Sequence, residues 1–171
     1  MTGTVAVLVA SVAALNPSMV ARRQYGRPID RWITGVVIAA VAAAAVGALA
    51  EPIRDLLSVS EPTMRTAAGA VLALTGARWL VGPSPRPGDA DPTVDATLST
   101  FSPAVVLTAM ATTAEDGWLV TVAGITLAVV ITVGLCLTGH HGRVSTWAVR
   151  GFGALAVVAG LAMVVNGVEV V

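Results

Sequence analysis

Hydrophobic positions along this chain do not alternate or repeat at a helical period; they run on, in six nearly unbroken apolar stretches separated by short polar ones. The runs cover about Thr2 to Ala21, Trp32 to Ala50, Thr63 to Val81, Ala96 to Ala114, Trp118 to Leu137 and Trp147 to Val168. Each approaches the roughly 20 apolar residues that a bilayer core demands of one helix. The pattern predicts an all-α, polytopic membrane protein with six transmembrane helices. The polar interruptions are "RRQYGRPIDR", "EPIRDLLSVSEP", "GPSPRPGDADPTVD", "EDG" and "TGHHGRVS", and all five are read as loops. The first run has no positive n-region and continues into "NPSMV", so it is read as a span and not as a cleaved signal.

Composition strengthens this picture. Of 171 residues, 56% are hydrophobic and 12% charged, and the mean hydropathy is +0.83. Ten basic residues, all arginine, balance ten acidic ones, so there is no basic surface for nucleic acid. The arginines instead set topology. With the first loop in the cytoplasm, Arg22, Arg23, Arg27, Arg31, Arg78, Arg86, Arg143 and Arg150 lie inside, and only Arg54 and Arg65 lie outside. The expected location is the cell membrane, multi-pass, with both termini on the outer side. Trp32, Trp79, Trp118 and Trp147 stand near span ends, where an amphipathic ring suits the interface.

Special residues recur in order in the two halves. Pro17 in "LNPSMV" answers Pro103 in "FSPAVV", and Trp32 answers Trp118, each pair 86 residues apart. Gly69 and Gly76 answer Gly153 and Gly160 at an offset of 84. Residues 1–81 and 96–171 therefore read as two copies of a three-helix unit, joined by a cytoplasmic linker over 82–95, in a single membrane domain. Three spans is an odd number, so the second copy enters the membrane from the opposite side. The repeat is expected to be inverted, an arrangement typical of secondary transporters. The seven-residue glycine spacing puts a close-packing stripe on the third and sixth spans.

Within this frame the chemistry is sparse. Pro17 and Pro103 remove backbone donors inside apolar runs, and such breaks at matching places point to a substrate site. Candidate binding residues are Asn16, Pro17, Ser18, Thr100, Ser102 and Pro103, with Asn166 in the last span either lining a path or capping its helix before Gly167. Half-helix N-termini at the breaks would favour an anionic group such as a carboxylate. Simple counting, however, puts both prolines nearer the cytoplasmic face, where an inverted pair should lie at mirrored depths.

No acidic residue or histidine falls in the middle of a span, so coupling through a buried carboxylate is not expected. Glu51, Glu61, Glu115 and Asp116 read as solvated outer faces, with an outer vestibule for a cation as the alternative. The linker aspartates are read as solvated. Cys136 is a small buried hydrophobe, His140-His141 is too isolated for a metal site, and no cofactor motif or catalytic constellation occurs. The chain is not expected to be an enzyme.

On these residues the chain resembles the MarC family of six-span inner-membrane proteins, related to the LysE-type exporter superfamily. Asn16-Pro17 looks like the family's Asn/Asp-Pro signature, "VSEPTMRTAAGAVLALTGARWL" its third span, and "GFGALAVVAGLAMVVNGV" its closing helix with a terminal Asn-Gly. "FSPAVV" occupies the place of the family's Gly-Pro-Gly motif, here Ser102-Pro103-Ala104. Asn16, Pro17, Gly69, Pro103, Asn166 and Gly167 carry over. The resemblance implies a small-solute transporter or exporter, with the lipid bilayer and a small solute as partners and a homo-oligomer as a mild expectation. The competing reading is a non-transporting scaffold or a lipid-handling partner of an envelope complex.

Overall fold

Two short signals, Asn16-Pro17 and Ser102-Pro103, decide where apolar runs become pairs of helices. In the computed structural model, which describes residues 2–24, 28–81, 91–138 and 146–169, α1 (Thr2–Leu15) gives way to α2 (Pro17–Gln24), and α6 (Pro92–Thr100) to α7 (Pro103–Asp116). The other helices are α3 (Ile29–Ala48), α4 (Ala50–Leu57), α5 (Glu61–Val81), α8 (Trp118–Thr138) and α9 (Thr146–Val168), and no strand occurs among the described residues. In both breaks the residue before proline caps the new helix. The Asn16 side chain accepts the Met19 N–H at 3.2 Å, and the Ser102 Oγ accepts the Val105 N–H at 3.3 Å. Proline is harmless in the position that follows such a cap, because its missing donor would have had no partner inside the helix.

Four helical segments are long and apolar enough to cross a membrane: Val5–Gln24, Ile29–Ala48, Trp118–Leu137 and Trp147–Val168. A fifth is added if Pro92–Thr100 and Pro103–Asp116, bent by 48° at their junction, count as one span. The third apolar run forms α5, 21 residues long, which is not among these segments; Glu61, Arg65 and Arg78 dilute it. The polar stretch after α3, expected to be a loop, contains α4. Pro52 does not prevent this, because it falls in the first turn of α4, where no helical bond is lost. Likewise α6 begins at Pro92, inside the expected linker, because the Asp91 carboxylate accepts the Thr93 N–H at 2.9 Å and starts the helix there.

Glycine brings α5 and α9 together. A Cβ on Gly69 would lie 2.5 Å from the Gly160 carbonyl oxygen, and one on Gly76 would lie 2.6 Å from that of Gly153. Residue numbers rise along one helix as they fall along the other, so α5 and α9 pack antiparallel. Any side chain at these positions must push two backbones apart, at a cost of about 1–3 kcal/mol. By contrast α3 runs parallel to α6 and α7. Thr93 donates to the Arg31 carbonyl, Thr97 to that of Gly35, and Gly47 faces the Ala109 carbonyl, a constant separation of 62 residues. The bend therefore does not reverse the chain: α7 continues along α3 in the direction set by α6.

Alanine fills the centre. Ala10, Ala13, Ala43, Ala104, Ala109, Ala128 and Ala156 join Leu15, Leu72 and Ile125 in the largest buried cluster, where small side chains permit near-backbone contact between helices. Two expectations are corrected. Trp32 is not an interfacial anchor but fully buried among Val20, Val36, Ala96 and Cys136. Val20 and Ala21 of α2 and Ala96 of α6 pack in the same buried cluster as the ring, and α2 also touches α6. Asp95 is not a solvated linker residue either: its side chain is 14% exposed and pairs with Arg23, itself only 18% exposed, at 3.4 Å.

Candidate functional site

The first break is sealed. Asn16 is fully buried and adopts φ of 45°, the left-handed region that asparagine tolerates better than most residues. Its Oδ1 accepts from Ser18 Oγ at 2.9 Å and from Met19 N, which uses both lone pairs. Its Nδ2 donates to the Val149 carbonyl at 3.4 Å, tying the break to α9. Pro17 and Ser18 are buried beside it. A solute could reach the Asn16 oxygen only by dismantling the cap, so Asn16 positions α2 and is not an open ligand.

The second break is looser. Ser102 is half-buried and Pro103 exposed, and two nearby hydroxyls, those of Thr100 and Thr108, are about 1% exposed and have no hydrogen-bond partner. Both line a cavity of about 10 Å³, roughly the room one water needs, bounded by Ser11 and Leu15 of α1 and Ala43 of α3. This is too small for a solute. It is nonetheless the place where the two breaks come nearest to a shared space, since Leu15 immediately precedes Asn16.

Asn166 lies elsewhere. Helix α9 runs on past it to Val168, so it is not a cap. It lines a groove of about 570 Å³ between α1 and α9, together with Arg65, Thr112, Glu115 and Glu169. Arg65 is 15% exposed and pairs with Glu115 at 2.9 Å and Glu61 at 3.3 Å, clamping α5 to the end of α7. Thr112, one turn beyond Thr108 on α7, shares a 2.9 Å hydrogen bond with Thr121 and donates to Ala109. Thr108 lines the small cavity and Thr112, four residues on, lines the groove, so one face of α7 carries polar groups from the cavity toward the ion pair.

The sequence-predicted residues thus form two groups: the sealed and open breaks near the small cavity, Asn166 in the groove. Arg65, Thr108 and Thr112 went unnoticed as site residues, although the four-residue spacing of Thr108 and Thr112 places them on one face of a helix; Glu115 reads from the sequence as a solvated outer residue, with a cation vestibule as the alternative. No family model, no curated protein and no solved structure matches the chain. Its own geometry must carry the functional reading. Among the described residues no group of three or more His, Cys, Asp or Glu could hold a metal ion, while His140 and His141 lie outside those residues.

Proposed function

We propose that this chain is a multi-pass cell-membrane protein of six helices in two inverted triplets, acting as a small-solute transporter or exporter. The observation that carries the reading is the way contacts exchange under the internal repeat. Shifting by the 84-residue offset turns the approach of Gly69 to Gly160 into that of Gly153 to Gly76, and both approaches occur. The caps exchange likewise at 86, Asn16 with Met19 answering Ser102 with Val105. Antiparallel α5 and α9, with α3 parallel to α6 and α7, have the directions that alternating spans would require. Such a pair of units, rocking about the central α5–α9 contact, could expose the Thr100–Thr108 cavity alternately to either face.

In this reading the cytoplasmic ends are those rich in arginine, and the groove with Arg65, Glu115 and Asn166 faces outward. Kinship with MarC-type proteins is part of the proposal and rests on Asn16-Pro17, Pro103 and Asn166-Gly167. A lipid-handling role is the second reading, favoured by the apolar wall of the α1/α9 groove. The test is twofold. Ser60→Cys should react with an impermeant thiol reagent from outside intact cells and Arg86→Cys only after the inner face is exposed; labelling of both from one side would overturn the inverted topology. Vesicles reconstituted with wild type, Ser102→Ala and Thr108→Val should differ in flux across a panel of small solutes, and equal flux through all three would remove the site.

A further inference from the structure

The groove between α1 and α9 has a polarity that runs along its length. On α9 the residues facing it are Leu155, Val158 and Ala162, then Asn166 and Glu169, successive turns of one helical stripe. From Leu155 to Glu169 that stripe is about 21 Å long at the rise of an α-helix. Opposite, α1 offers Val7 and Ala10. One end is apolar on both walls, and every ionisable lining group lies at the other.

Charge at the polar end is not balanced. Arg65 is engaged by Glu61 and Glu115. Among the described residues Glu169 is exposed, lines the groove and forms no ion pair, so the described lining carries one more negative charge than positive. An anion at this end would meet Glu115 and Glu169. A cation would meet two carboxylates and the Asn166 amide oxygen.

We infer that the α1/α9 groove binds a single-tailed amphiphile with a primary ammonium head, the tail along Leu155, Val158 and Ala162 and the ammonium between Glu169, Glu115 and Asn166. The assignment requires the helices to stand in a bilayer, but it does not require transport. The occupant is a free alkylamine; a membrane lipid with an aminoethyl headgroup brings a second tail and a phosphate that would face the same carboxylates, and it is the competing outcome of the test.

Titration calorimetry of the full chain in phosphatidylcholine nanodiscs, with empty discs subtracted, tests it. Octylammonium should give saturable heat at one site per chain, whereas octanoate and octanol should give none. Glu169→Gln should weaken octylammonium about tenfold, the loss expected for one charge-assisted contact. Ala162→Trp, which fills the apolar half, should abolish binding, and Glu51→Gln on α4 should leave it unchanged. Each variant must retain wild-type helicity and melting temperature; should Ala162→Trp not fold, Val158→Phe replaces it. Equal heats for octanoate, no saturable heat with octylammonium, or indifference to Glu169→Gln would overturn the assignment. In discs containing phosphatidylethanolamine the octylammonium heat should be unchanged; its loss would make the lipid the occupant and overturn the assignment. Binding without flux would leave this inference standing and remove the transport proposal.

Discussion

The two breaks begin from the same device, a capping residue followed by proline, and end differently. At Asn16 the side chain satisfies three groups at once and the backbone turns through a left-handed residue, after which α2 carries on within one apolar segment. At Ser102 the shorter side chain satisfies only the Val105 N–H, the helices meet at a 48° bend, and two buried hydroxyls are left without partners. The Asn16 amide reaches α9, whereas the Ser102 hydroxyl bonds only within its own helix. The first break is thereby fixed to α9, and the second is the one with room to move.

The largest effect should come from Asn16→Ala. It leaves the Met19 N–H, the Ser18 hydroxyl and the Val149 carbonyl short of a partner and forces alanine into the left-handed region. Together these should cost about 3 kcal/mol of stability. Unfolding in detergent measured by denaturant titration checks this, and a loss under 1 kcal/mol would mean that the two breaks do not differ as described. Ser102→Ala removes a single cap bond and should cost about 1 kcal/mol.

The hydroxyls at the open break give a result of opposite sign. Thr100→Val and Thr108→Val replace unpartnered buried oxygens with methyl groups of similar shape, and each should raise stability by about 1 kcal/mol. Thr112→Val, one turn further along α7, breaks two hydrogen bonds and should lower it by about 1 kcal/mol. Melting temperatures of the three variants separate the cases. Destabilisation by all three would show that Thr100 and Thr108 are satisfied and would remove the contrast between the breaks.

The two breaks were legible beforehand for local reasons, but as equivalents; the contrast between them was not. Asn16-Pro17 and Ser102-Pro103 announce helix restarts because cap and proline are adjacent, and the glycines of α5 and α9 announce close packing through their seven-residue spacing. Pairing across the fold was not legible. Arg23 meets Asp95 across 72 residues, and Arg65 meets Glu115 across 50 (115 − 65). Nothing in the local pattern distinguishes these charges from solvated ones. Trp32 misled for a related reason: a tryptophan near a span end suits the interface and a buried core equally well. The α4 segment was hidden by Pro52, which reads as a breaker unless the helix start before it is known.

A pH titration sharpens the comparison from the other end of α6. The hydrogen bond from the Thr93 N–H, with smaller help from Arg31, holds the Asp91 carboxyl below its usual value of 3.8. A depressed folded value means that the cap contributes fully above the usual value and is lost as pH falls through the folded one. Protection of the first α6 amides, Thr93 and Asp95 among them, should therefore be constant at neutral pH and decline only below about 3.8. Asp91→Asn keeps an acceptor at the cap and should remove that decline while leaving neutral-pH protection nearly unchanged. The Asn16 cap has no ionisable group, so protection of the first α2 amides, those of Met19 and Val20, should not follow the same curve. If α2 and α6 frayed together on acidification, the second break would not be moving independently of the first, and the sealed and open ends would be one mechanical unit.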